Sequence, residues 1–365
     1  MSVRTPARRA LLSACAAATL AALAAASGCS SGSAAEGDTG TRPSAAPGPT
    51  SYPLTITNCG QKVTFTRPPR RVLILNGTSV AEVESVILLG LQRSVLANAQ
   101  SYGVSDDPSM VAAIRALPRR GLTMNKNFEV PAEQVLAAKP DLVLSTWSGG
   151  FDPKRGLATR EQLAAAGAAT LVNPVNCAYG KPGASRAERD AYEALSIESS
   201  HEFLTLLGKV FDVQRKAAQV TADLRRRVDA VRARTSAGPR PKVLIAYPGM
   251  SMMNANGLPA VMTGRITDDV IKAAGGVNAF AGRSRDMTST LSKEQLAAAQ
   301  VDVLAVGAFE PREDPAAEAR KLFAAYPQWK ASRTKRYVTV ADGVFLGPLN
   351  AAAVEKLAGA VRSHG

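Results

Sequence analysis

The sequence predicts an α/β protein: two Rossmann-like α/β lobes joined by one long spine helix, with a ligand cleft between the lobes. Three observations carry that expectation. Short apolar runs alternate with helical patterns on both sides of the midpoint of the chain. The stretch "AEQVLAAKPDLVLS" at residues 132–145 returns as "KEQLAAAQVDVLAV" at residues 293–306, so that Glu133, Gln134, Ala137, Ala138 and Asp141 recur as Glu294, Gln295, Ala298, Ala299 and Asp302 at a constant offset of 161. Between the copies, residues 196–235 keep a helical periodicity interrupted only at Gly208. A unit that appears twice in the same order indicates two similar lobes.

With 365 residues and 46% hydrophobic content, the chain can bury a large core, and its length favours more than one domain. Residues 1–28 read as an export signal: Arg4, Arg8 and Arg9 precede an Ala/Leu run that is shorter than the roughly 20 residues of a membrane-spanning helix. The segment "ASGC" at residues 26–29 resembles a bacterial lipobox, with Ala26 where Leu is usual, and this makes Cys29 the expected lipid attachment point. Residues 29–51, "CSSGSAAEGDTGTRPSAAPGPTS", contain almost no large apolar side chain and read as a flexible tether.

The N-terminal lobe is expected over residues 52–195. "RRVLILN" reads as a buried parallel strand, "SVAEVESVILLGL" as a helix ending near Gly90, and "SVLANAQ" as a second strand. A helix opened by Pro131 follows, then the strand "DLVLST", the helix "REQLAAAG" and the strand "ATLVNP". The spine helix takes residues 196–235. Its basic run "DLRRRVDAVRAR" reads as a solvated face, with Leu224, Val228 and Val231 opposite. In the C-terminal lobe, residues 240–365, "KVLIAYPG" answers "RVLILNG", "ITDDVIKAAGG" ends a helix in glycines, the repeat returns, and "RYVTVAD" and "NAAAVEKLAGAVRS" close the chain.

Removing the three leader arginines from the formal +14 leaves +11. Nucleic-acid binding fits neither an exported chain nor the lack of a basic tract interleaved with aromatics. With Cys15 in the leader and Cys29 assigned to lipid, Cys59 and Cys177 remain, and an isolated pair in an oxidising compartment is expected to form a disulfide. A metal site is the weaker alternative, because two thiols lack a nearby histidine.

His201, in the spine, and His364, at the C-terminus, are the only histidines, and no phosphate loop, dinucleotide fingerprint or nucleophile elbow is present. "SRTK" at residues 332–335 fits a serine-lysine motif without its companion motifs. The expectation is a binding protein and not an enzyme, with no metal site and no resident cofactor. Its candidate ligand contacts are Tyr102, Trp147, Tyr247 and Phe345, which follow predicted strands where ligands of open α/β sheets bind. Lys126, Arg265, Arg283 and Arg285 lie in loops able to edge the same cleft. Core or rim positions for the aromatics, and plain exposure for the cations, are the alternatives. Trp329 is expected in a distant surface segment.

Taken in order, "PPRRVLILN", "FEVPAEQVLAAKPDLVLSTW", "REQLAAAGAATLVNP", "LLGKVFDVQRKAA", "DDVIKAAGGVNAF", "LSKEQLAAAQVDVLAV" and "ADGVFLGP" resemble the helical-spine class of bacterial ABC-transporter solute-binding proteins over residues 52–362. "YPLTITNCGQKVTF" looks like the actinobacterial siderophore-binding lipoproteins, whose members often pair this cysteine with one placed like Cys177. The resemblance implies a monomer, lipid-anchored on the outer face of the cell membrane, that passes a ferric siderophore to an ABC permease dimer. Glu133 and Glu294 would be the docking carboxylates, one from each lobe, although an acid in the first helical turn also suits the macrodipole. It adds Asp342 to the ligand positions and makes Lys126 the stand-in for a cleft arginine. A corrinoid or haem ligand is the alternative within the class, and an exported enzyme or an anchored interaction protein lies outside it.

Overall fold

The computed structural model describes residues 48–76, 80–100, 104–235, 238, 240–283, 287–345 and 347–362. The export signal, Cys29, most of the tether, Tyr102 and Arg285 lie outside the described residues. Among the described residues, no helix is long and apolar enough to cross a membrane.

Strands β1 (Leu54–Asn58) and β2 (Gln61–Phe65) form an antiparallel hairpin ahead of the first lobe. The first lobe's sheet has the order β4-β3-β5-β6, all parallel, from β3 (Val72–Ile74), β4 (Val95–Asn98), β5 (Leu142–Ser145) and β6 (Ala169–Val172). These strands are short and apolar because helices cover both faces. The second lobe contains β7 (Lys242–Tyr247), β8 (Ala260–Met262), β9 (Val277–Asn278), β10 (Val303–Gly307) and β11 (Tyr337–Val340), in the order β11-β10-β7-β8 with β9 also on β7. Strand β8 runs antiparallel to β7, so this sheet is mixed where uniform parallel pairing was expected.

The repeat has a structural reason. Asp141, just before β5, accepts the Arg70 and Arg71 amides at 2.8 Å each and returns its own N–H to Arg71 O. Asp302, just before β10, accepts the Lys242 amide at 2.7 Å and returns its N–H to Lys242 O. In both lobes the aspartate joins the start of one central strand to the start of its neighbour.

The expected single helix over 196–235 is two helices, Ser200–Val210 and Gln214–Thr235. The break is at Asp212, whose φ of 57° is left-handed, a region that Asp tolerates better than most residues. Gly208 interrupts nothing. A Cβ there would stand 2.7 Å from the Ala217 Cβ, so the glycine lets the two helices approach closely. The second helix buries Ala217, Thr221, Leu224, Val228 and Val231, one stripe of a 3.6-residue period.

Cys59, at the hairpin turn, and Cys177, after β6, are joined by a disulfide across 118 residues of sequence. Closing a loop that long stabilises by about 4 to 5 kcal/mol in the chain-entropy model. One hydrophobic core runs through both lobes and the helices between them, with an outer cluster in each lobe.

Candidate ligand cleft

On the first lobe, the cleft floor is organised by Glu82, at the start of the helix Ala81–Leu88 and fully buried. Its carboxylate accepts Gln100 Nε2 and Thr146 Oγ1 at 2.6 Å and Asn173 Nδ2 at 2.8 Å. Those donors stand just past β4, β5 and β6, so one side chain holds the carboxyl ends of three strands together. Burial raises the Glu82 carboxyl above its ordinary range, and the three donors pull the other way.

Trp147 follows Thr146 and is half-buried. Its ring lies 5.0 Å from that of Tyr179, and the Arg155 guanidinium stands 5.0 Å above it. A Cβ on Gly149 or Gly180 would come within 2.4 Å of the indole, so both glycines are required by close approach. Tyr179 stacks on Tyr192 at 6.0 Å, and the Arg265 guanidinium covers the Tyr192 ring at 3.8 Å. The result is a row Arg155–Trp147–Tyr179–Tyr192–Arg265 that starts on one lobe and ends on the other. Each terminal arginine also holds an acid: Arg155 pairs with Glu129, and Arg265 with Glu193 at 3.1 Å.

The second lobe corrects two expectations. Tyr247 ends β7 as predicted, but its ring is fully buried at 0% exposure, its hydroxyl donates to Ala341 O, and it packs on Phe345 at 5.1 Å. A Cβ on Gly307 would overlap that ring, so the aromatic occupies space cleared for it inside the sheet and is a core residue. Burial lifts its hydroxyl well above the ordinary tyrosine range. Asp342 is likewise buried, in a contact between the lobes. Phe345 does line the interlobe cavity, together with Tyr179, Tyr192, Met250, Met253 and Arg265.

Lys126 is exposed in a turn that Asn125 holds by accepting the Asn127 and Glu129 amides, and Arg283 is exposed as well. The same turn places Phe128 at 71% exposure, with its carbonyl taken by Asn76 just past β3. Glu133 and Glu294 are both exposed in the first turns of six-residue helices, Ala132–Ala137 and Lys293–Ala298, and Ser292 and Gln295 form the capping box the second copy suggested. Trp329, expected on the surface, is 1% exposed, stacked on Tyr326 at 4.4 Å and donating to Leu296 O, because the apolar helices of the second lobe close over it.

A model of the family described as periplasmic binding proteins matches residues 78–340. The chain belongs to the periplasmic binding protein family. Among solved structures, a protein of an ABC-type Fe3+-hydroxamate transport system from Saccharomonospora viridis is 25% identical, over 85% of this chain and 99% of that one, with a TM-score of 0.62. A periplasmic binding protein from Veillonella parvula is 19% identical over 85% of this chain and 97% of that one, at TM-score 0.65. A periplasmic haem-binding protein from Roseiflexus is 20% identical over 80% of this chain and 98% of that one, at 0.55. No curated protein matches the chain.

In this periplasmic binding protein the interlobe cavity holds about 100 Å³. Small-molecule sites usually offer roughly 300 to 1,000 Å³, so this cavity, as bounded by the described residues, is small for a ligand site. A more open groove of about 600 Å³ lies behind the disulfide, lined by Cys59, Cys177, His201 and Glu202 among others. It is bounded by the N-terminal hairpin, by Pro174 and Cys177 just after β6, and by the helix Ser200–Val210. His201 there is buried, which holds its imidazole below the ordinary range, and Glu198 lies 3.4 Å away.

Sequence reasoning missed Glu82, Phe128, Tyr179, Tyr192 and the methionines. Tyr179 had a signal, since "PVNCAYG" follows a predicted strand just as "DLVLSTW" does. Tyr192 had none, because "AERDAYEAL" reads only as a polar helix.

Proposed function

We propose that this periplasmic binding protein is a lipoprotein anchored through Cys29 on the outer face of the cell membrane, that it captures a ferric siderophore between its lobes, and that it delivers the chelate to an ABC permease without catalysing a reaction. The observation that carries this reading is the row Trp147–Tyr179–Tyr192 beside the interlobe cavity, with Phe345, Met250 and Met253 facing it. Aromatic faces and thioethers suit the apolar shell of a chelate. Both arginines of the row already hold a carboxylate, which favours a neutral hydroxamate complex over a strongly anionic catecholate. The Fe3+-hydroxamate transport protein from Saccharomonospora viridis supports the same choice.

Glu133 and Glu294 occupy equivalent exposed first turns, one on each lobe, and would pair with basic residues on the two permease subunits. Haem is the second reading, favoured by tyrosine hydroxyls and the Met253 thioether at the cavity, groups able to serve as axial ligands.

Tryptophan emission tests the proposal. Trp329 is buried in the outer cluster of the second lobe, so a ligand-dependent change reports on Trp147. Ferric hydroxamate should quench saturably, and Trp147→Phe should abolish the response. Silence toward ferric hydroxamates and catecholates with a response to haem would replace the siderophore by haem. Silence toward all of them would overturn the proposal.

A further inference from the structure

The lobes meet at a buried cluster of acids outside the aromatic row. Glu84 comes from the helix Ala81–Leu88 of the first lobe, Asp106 from the segment before the helix Pro108–Arg115, and Asp342 from the turn after β11 in the second lobe. All three are buried. Asp106 is fully provided for: it accepts the Ala341 amide at 3.0 Å, the Gly343 amide at 2.9 Å and the Lys356 ammonium at 2.8 Å. The other two are half provided for. Glu84 Oε1 accepts the Ser105 hydroxyl at 2.7 Å, and Asp342 Oδ1 accepts the Asp106 amide at 3.3 Å.

Glu84 Oε2 and Asp342 Oδ2 are buried with no donor of their own. Both lie beside Gly347, where a Cβ would stand 3.2 Å from the first and 3.3 Å from the second, and the two carboxyls are within hydrogen-bonding reach of each other. Two carboxylate oxygens can meet there favourably only if one carries a proton. We propose that Glu84 and Asp342 share a single proton across the lobe interface, so that the contact between the lobes of this periplasmic binding protein is linked to pH.

The surrounding groups fit. Lys356 is the one cation among the described residues that touches the cluster, and it is bonded to Asp106. Glu82 is turned to its own three donors, Asp107 caps the helix it precedes, and the Tyr247 hydroxyl donates to Ala341 O. Burial first, then repulsion from Asp342, holds the Glu84 carboxyl well above its ordinary range, and burial raises that of Asp342 to about 6. Both groups are raised in the folded form. Their contribution is therefore complete below the ordinary carboxyl range and is lost as pH rises through about 6 and beyond.

The test uses the whole chain without added ligand, so its outcome is independent of which solute the cleft takes. Infrared difference spectra at neutral pH should contain the C=O stretch of a buried protonated carboxyl that both Glu84→Gln and Asp342→Asn remove. Hydrogen exchange reads the same contact through the Ala341 and Gly343 amides. Their opening equilibrium, corrected for the intrinsic rate, should rise by up to about a hundredfold between about pH 4 and pH 7, because each unit of carboxyl shift is a factor of ten. In Glu84→Gln that rise should be largely lost. A wild-type chain without the carboxyl band, or variants whose opening keeps the wild-type pH slope, would overturn the proposal. If Glu84→Gln does not fold, Asp342→Asn decides by the same two readouts.

Discussion

The two lobes share their scaffold and differ at the cleft. Asp141 and Asp302 pin neighbouring strands in the same way, and Glu133 and Glu294 start helices of equal length at matching places. At the carboxyl ends of the strands the likeness stops. The first lobe presents an aromatic row set over the buried Glu82 hub and tied from behind by the Cys59–Cys177 bond. The second turns its strand-end tyrosine inward and offers methionines, with Met252 at 77% exposure. The repeated parts answer to the pairing of neighbouring parallel central strands, which both lobes contain, whereas the two cleft faces are built from different side chains.

The largest expected effect comes from removing the Glu82 hub of the first lobe. Glu82→Leu leaves three buried donors unpaired and should cost about 3 kcal/mol or more, measured by urea unfolding. Removing the disulfide in Cys59→Ser/Cys177→Ser should lower stability by about 2 to 5 kcal/mol. Because Cys177 lies two residues from Tyr179, it should also weaken ligand binding, read by titration of the reduced-loop variant.

Tyr247→Phe and Trp147→Phe set the lobes against each other. The first leaves Ala341 O without its hydroxyl donor and should cost about 1 to 2 kcal/mol in thermal unfolding with little change in affinity. The second should leave unfolding nearly unchanged and remove the emission response. Equal behaviour of the two would erase the distinction between a core and a cleft aromatic. Smallest in stability, within about 0.5 kcal/mol, is the exposed pair Glu133→Ala and Glu294→Ala. Under the docking proposal both variants bind solute normally, and uptake by cells falls for each.

Much of the architecture was legible in the chain. The strands β3, β5, β6, β7 and β10 are apolar runs buried on both faces, the stripe Leu224, Val228 and Val231 marks the buried side of its helix, and two remaining cysteines point to each other. Three short pieces were not. Strand β8, "AVM", is three residues long and carries no alternation, the helix break depends on one aspartate taking a left-handed φ of 57°, and the segment that forms the N-terminal hairpin carried a family resemblance but no strand reading.

The sequence alone therefore determined what depends on local pattern: the apolar central strands, the buried stripe of the long helix, and that the set occurs twice. It also pointed to the family, through the order and spacing of its segments, and the family model matches residues 78–340. Tertiary structure decided which way the side chains at the carboxyl ends of the strands turn. Tyr247 goes inward because Gly307 leaves room for its ring, and Tyr179 goes outward because Trp147 and Tyr192 receive it. Glu82, Glu84 and Asp342 read as ordinary acids in the chain. Their burial depends on partners from distant segments, Asn173 for the first and the opposite lobe for the other two, and no window of sequence contains those neighbours.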